Sequence, residues 1–203
     1  MEARQTAIPC KLMRGGCSKG PFFLAGDLPA DGALRDRVLL AVMGSPDPCQ
    51  LDGLGGAALS TSAVAIVSRS ERPGTDVDYL YARIAPDRPL VDLSPNCSDM
   101  LAAVGPFAIE RGLLSAGDPI TRVAIYLLNS GESAVATVQT PGGLVRYDGS
   151  VAIPGVPGTA APVHIEYLGE SDRGVALSSA RALMDGVVWV PHTVWDGARY
   201  FGR

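Results

Sequence analysis

Lysine is almost missing from this chain. Of 203 residues only Lys11 and Lys19 carry an ammonium group, and the rest of the basic charge is arginine. The formal net charge is −4, so nothing favours a nucleic acid or an anionic membrane as partner. Histidine is as scarce: His164 and His192 both lie late in the chain. Neither sits near a nucleophile elbow, which removes a Ser–His–Asp reading. The four cysteines, Cys10, Cys17, Cys49 and Cys97, follow no zinc spacing, and two histidines are too few for a typical mixed site, so no metal is expected. No apolar run is long enough to span a bilayer, and the first residues carry no basic-then-apolar leader pattern. The expectation is a cytoplasmic protein with reduced thiols.

Hydrophobic residues make up 47% of the chain and charged residues 19%. That fits a globular protein with one good core, or one domain with an appendage. Twenty-four glycines and sixteen prolines predict many turns.

Thr6 to Met13 reads as a strand, with Pro9 pushing it toward an edge or a bend. Arg14 to Gly20 is a glycine-rich loop, and Pro21 to Ala25 a short apolar strand. Asp31 to Met43 predicts a helix: Leu34, Val38, Leu39 and Val42 share one stripe, Asp31 is a plausible N-cap, and Gly44 ends it. Asp52-Gly53-Leu54-Gly55-Gly56 is a second glycine-rich loop, leading into a strand over Ser62 to Val67. Val77 to Ile84 is its partner. Cys97 to Leu113 predicts a largely buried helix, bent or broken at Gly105-Pro106. From Thr121 the pattern is β, with strands at Val123–Leu128, Ser133–Thr140, Leu144–Tyr147 and Val163–Leu168. This is an α+β pattern, a strongly twisted, mostly antiparallel sheet or half-barrel around one apolar helix. From about Glu170 the character changes, with a short helix expected over Gly174 to Met184, a strand over Val187 to Val190, and an end that is either poorly ordered or docked on a partner.

The chemistry concentrates at Ser94-Pro95-Asn96-Cys97-Ser98-Asp99-Met100. A thiol at a helix start sits among free N–H groups that favour thiolate and also hold a carboxylate. The alternative is a buried structural cysteine. Asn96 is a cap or a carboxylate ligand. Gly15-Gly16-Cys17-Ser18-Lys19-Gly20 offers N–H groups, a hydroxyl, a thiol and an ammonium, a set suited to a carboxylate or phosphate, or else an ordinary turn. It lacks Walker spacing. Gly55 and Gly56 permit anion binding or simply tight packing, and Ser60-Thr61-Ser62 either completes an anion site or faces solvent.

Six runs in one order resemble the PrpF family, which includes methylaconitate isomerases and 4-oxalomesaconate tautomerases. They are Met13–Gly20, Met43–Pro48, Gln50–Ala57, Val77–Leu80, Ser94–Cys97 and Val104–Glu110. The resemblance covers about residues 6 to 168. It implies the diaminopimelate-epimerase-like fold, in which two similar domains face each other across the active-site cleft. It also implies a proton shift across the allylic system of an unsaturated di- or tricarboxylate, without cofactor or metal. The resemblance makes Cys97 and Lys19 the catalytic candidates. Gly16, Cys17, Ser18, Asp52, Gly55, Gly56, Thr61, Ser62, Asn96 and Ser98 are the substrate-binding candidates. Three departures stand out. Ala63 replaces the family lysine, Cys17 stands where threonine is usual, and the pattern fades after Leu168. The expected division is therefore an epimerase-like domain at 1–169 and a divergent tail at 170–203, with the second family domain absent. An altered isomerase, a silent polycarboxylate-binding or accessory protein, and a truncated N-terminal half all remain open. A homo-oligomer is a further expectation.

Overall fold

The computed structural model describes residues 5–169 and 174–197. Nine strands form one sheet: β1 (Gln5–Gly15), β2 (Ser18–Leu24), β3 (Ala63–Arg69), β4 (Val77–Ile84), β5 (Val91–Asp92), β6 (Ile120–Leu127), β7 (Ser133–Gln139), β8 (Pro162–Leu168) and β9 (Val175–Pro191). Their order is β3-β2-β1-β9-β8-β7-β6-β4-β5, and β3 also pairs with β4. That last pairing turns eight of the strands into a closed barrel, with β5 outside the ring. β2–β3 and β4–β6 are parallel and the other pairs antiparallel. The expected α+β class holds, but the half-barrel is a full one.

The strand that closes it is β9. Residues Gly174 to Met184, expected to be helical, are extended, and β9 runs 17 residues without a break. Val175, Leu177, Val187 and Trp189 alternate with less exposed neighbours, a period-2 pattern that strand pairing on both sides rewards and a helix does not. β9 pairs with β1 from Gln5↔Pro191 to Gly15↔Ala180, with a register shift at Leu12/Met13, and with β8 through Glu166↔Val175. Pro9 lies in the stretch of β1 that precedes its pairing with β2. There the missing N–H costs little.

Alternation divides each strand between two cores. Met13, Phe22, Ala63, Ala65, Val67, Tyr79 and Tyr81 point into the barrel. They close around two short helices. α2 (Ser98–Leu101) and α3 (Val104–Glu110) carry Met100, Leu101, Val104, Phe107 and Ala108, all fully buried. Phe22 and Phe107 meet at 5.5 Å between ring centroids. The break in the expected long helix falls at Ala102–Ala103. Gly105 and Pro106 instead sit in the first turn of α3, where proline's missing donor has no partner to lose. A Cβ on Gly105 would stand 2.8 Å from Val138, so the residue lets the helix press against β7. On the outer face, Ile8, Cys10, Phe23, Val64, Ile66 and Val190 pack against α1 (Gly32–Met43) through Val38, Leu39, Val42 and Met43. The expected caps are present. Leu34 N donates to Asp31 Oδ1 at 2.8 Å, and Gly44 is left-handed with φ 77°. Trp195 docks in this outer core at 5% exposure, whereas the part of the expected tail from 198 on lies outside the described residues.

Two smaller expectations fail. Arg14 to Gly20 is a tight hairpin rather than a loop, since β1 ends at Gly15 and β2 begins at Ser18. Leu144–Tyr147 is not a strand: after the short helical turn at Pro141–Gly143 that stretch has no regular structure. Among the described residues, no helix is long and apolar enough to cross a membrane.

Candidate active site

The hairpin turn brings its groups to Cys97. Gly16 holds the turn with φ +49°, and a Cβ there would collide with the Asp99 carboxylate. A Cβ on Gly15 would likewise meet the Asp99 carbonyl. These glycines let the β1–β2 turn lie directly on the start of α2. Cys97 is the N-cap of α2, extended and without a side-chain capping bond. α2 has only four residues, so its dipole is smaller than that of the long helix expected there. The Cys17 thiol donates to Asp99 Oδ2 at 3.0 Å and the Ser18 hydroxyl lies 3.4 Å from the same oxygen. The chain's own carboxylate takes the donors foreseen for a substrate. The hydrogen bond to Asp99, then burial, then the Asp99 charge raise the Cys17 thiol above its ordinary value.

Cys97 is half-buried. Its thiol donates to Ser18 Oγ at 3.8 Å, and the Tyr81 phenol lies close enough for the sulfur to raise it. Burial, followed by the neighbouring Cys97, pushes the Tyr81 phenol well up, so it stays protonated and able to donate. Tyr79, fully buried, lies on the same inward face of β4, and its hydroxyl has no partner among the described residues. Tyr79 and Tyr81 were missed in the sequence. Their signal was there: two tyrosines at i and i+2, opposite the small or β-branched Val67 and Ala65. Ala63, where the family lysine was expected, is fully buried in the same interior, and its methyl group offers no proton.

The remaining candidates are spread apart. Lys19 follows Ser18 in β2, so its side chain leaves on the opposite face from the hydroxyl that meets Cys97. The structure does not bring Lys19 and Cys97 together. Lys11 is tied at 6% exposure between Glu110 (2.6 Å) and Asp185 (3.2 Å). The second glycine-rich loop spends its groups on itself. Buried Gln50 accepts from Ser62 Oγ at 2.6 Å and from Ala57 N at 2.9 Å, and donates to Ser45 Oγ at 3.1 Å. Thr61 Oγ1 donates to Ala58 O. Gly55 and Gly56 press against Gln50 and Thr61, which is the tight-packing alternative. Asp52 and Ser98 are exposed, and Asn96 Oδ1 is buried without a partner among the described residues. Gly16, Cys17 and Ser18 of the hairpin, with Asn96 and Ser98 on either side of Cys97 in the chain, therefore share its surroundings.

The model of the family described as PrpF protein matches residues 5–178. The chain belongs to the PrpF family. This PrpF chain is 56% identical over 192 residues to a (4E)-oxalomesaconate Delta-isomerase of Novosphingobium sp. strain KA1, covering 94% of this chain and 54% of that protein. It is 45% identical over 163 residues to the 3-methylitaconate isomerase of Eubacterium barkeri, covering 80% of this chain and 43% of that one. A crystal structure of a methylitaconate-delta-isomerase superposes with a TM-score of 0.78 at 45% identity, over 80% of this chain and 42% of the other. That similarity shows the family fold. The PrpF chain spans about half the length of the relatives it matches.

Proposed function

We propose that this PrpF chain is an isomerase that moves a proton across the allylic system of an unsaturated di- or tricarboxylate of the 4-oxalomesaconate or 2-methylaconitate kind. The observation that carries the reading is the setting of Cys97, a half-buried thiol held between Ser18 Oγ and a protonated Tyr81. It stands in a chain 56% identical to an oxalomesaconate isomerase.

The reaction needs one group that gives and takes a proton. The Cys97 thiolate removes a proton from the allylic carbon, and the C–H electrons move through the double bond into the adjacent carboxylate. The protonated sulfur then returns the proton to the far carbon of the same system, and the double bond has shifted. One base on one face makes the shift suprafacial. Tyr81 donates to the sulfur and holds it toward the substrate. Lys19 has no step in this scheme, because it faces away from the thiol. The reading includes a cytoplasmic location. It also includes an epimerase-like unit at 1–169 that a strand from the 170–203 segment completes.

A second reading has its own support. Ala63 removes the family base, and Asp99 fills the hairpin's donors. Both suit a silent polycarboxylate binder. Incubation with 4-oxalomesaconate in deuterated water, followed by NMR, separates the two. Deuterium enters the substrate under the isomerase reading and is lost in Cys97→Ser. Binding without incorporation by the wild type sinks it in favour of the binder.

A further inference from the structure

A cavity of about 630 Å³ opens beside the thiol hairpin, and three cations line it: Arg14, Lys19 and Arg181. The register shows why they meet. Arg14 pairs with Lys19 across β1–β2 and with Arg181 across β1–β9. The three residues are thus directly lateral neighbours on three adjacent strands, and cross-strand partners share a face. Like charges set opposite each other in this way are destabilising. Arg14 is partly compensated: it donates to Gly16 O at 2.7 Å, to Ser179 O at 3.3 Å and to Ser179 Oγ at 3.2 Å. These partners are neutral. Burial and then the Arg181 charge lower the Arg14 guanidinium from its ordinary value. Among the described residues, none of the three forms an ion pair with a carboxylate. Asp148, which also lines the cavity, is bonded at 2.8 Å by Arg146.

The rest of the wall mixes apolar side chains, Val151, Ile153, Val156 and Leu183 among them, with Tyr147, Asp148 and Thr159, and the cavity reaches Cys17 and Ser18 of the hairpin turn. A row of cations without ion pairs at one side, apolar side chains interspersed with polar ones on the other walls, and contact with the thiol hairpin describe a receptor for an anion with a hydrocarbon body. We infer that the β2–β1–β9 cation row is a carboxylate subsite that holds the distal carboxylate of a polycarboxylate ligand and sets the number of carboxylates the site accepts. This rests on the isomerase reading for the ligand's identity. Its geometry stands apart from Cys97, and Arg181 comes from a position beyond the family-model match.

Arg181 is exposed and makes no hydrogen bond to another described side chain, so Arg181→Met leaves the fold intact, as circular dichroism will check. The probe is tricarballylate, a saturated tricarboxylate that cannot isomerise, titrated calorimetrically against the whole chain. The wild type binds it, and Arg181→Met and Lys19→Met each weaken binding by about tenfold or more, as expected for a lost charge-assisted contact. Acetate at the same concentrations does not compete. Wild-type binding that is absent, unchanged in the Arg181→Met, Lys19→Met double variant, or matched by acetate overturns the subsite. Exchange measured in parallel keeps the two readings apart. Exchange with an unchanged KM in the double variant removes the subsite and leaves the isomerase. Arginine-dependent tricarballylate binding without exchange leaves the subsite and removes the isomerase.

Discussion

The chain has two glycine-rich segments that look alike in sequence and behave oppositely in the fold. At the first, around Gly15–Gly16, the backbone turns in two residues and the polar side chains project onto a neighbouring element, reaching Asp99 and Cys97. At the second, residues 50–62, Gln50 gathers Ser45, Ala57 and Ser62 into a closed network, and Thr61 Oγ1 donates to Ala58 O. Hydroxyls and amides serve a substrate only where the local backbone has not already claimed them. A tight hairpin between two strands satisfies its backbone within the sheet and frees its side chains. A long irregular loop consumes its side chains to satisfy its own backbone.

Substitutions at each segment sharpen this contrast. The largest effect is expected at Cys97→Ser, which lowers the exchange rate by about 10²-fold or more, with thermal unfolding nearly unchanged. A variant that exchanges normally would move the chemistry elsewhere. Gln50→Ala follows, with a loss of about 2 kcal/mol in chemical denaturation, because the buried Ser62 hydroxyl and the partly buried Ala57 N–H lose their acceptor. Exchange per folded molecule should hold. If activity falls while stability does not, the second loop is part of the site after all. Tyr81→Phe should slow exchange by about tenfold, the worth of one hydrogen bond to a charged sulfur.

Asp99→Asn tests the first segment from the other side. The native carboxylate keeps the Cys17 thiol protonated to higher pH than usual, so removing its charge should speed alkylation of Cys17 at neutral pH by a few-fold, read by mass spectrometry. The smallest effect concerns the approach to Cys97. Asp92 accepts from Ser94 Oγ and Ser94 N, and also from Arg83, and these bonds hold its carboxyl down to about 2. A depressed carboxyl stabilises the fold above its unfolded value and loses that contribution as pH falls toward 2. Acid unfolding of Asp92→Asn should therefore be less steep than wild type between about pH 4 and 2.

Much of the fold was legible because alternation and capping are local signals. The strands at Val77–Ile84 and Ser133–Thr140, and the helix capped by Asp31 and Gly44, follow from patterns within a dozen residues. β9 was harder, since its serines and exposed leucines look irregular until both neighbours, β1 and β8, are known. The site divides in the same way. Cys97 announced itself by its context. Asp99 did not, because its importance depends on a glycine turn more than eighty residues earlier. The cation row was invisible for the same reason: Arg14 and Arg181 are neighbours only through strand register. Lys19 was misplaced by proximity in sequence, as one step along a strand moved it to the other face from Ser18.

The position of β9 also constrains how the chain is made. β1 is made before the other described strands, yet the strand that covers its whole length begins at Val175. Until synthesis reaches Pro191, β1 carries an open edge, and the ring of strands cannot close. Closure joins residues far apart in sequence, Gln5 with Pro191 and Gly15 with Ala180, which is the slow kind of contact. The pairing of β9 with β1 is also what lays Arg181 beside Arg14, so the cation row exists only in molecules whose barrel is closed.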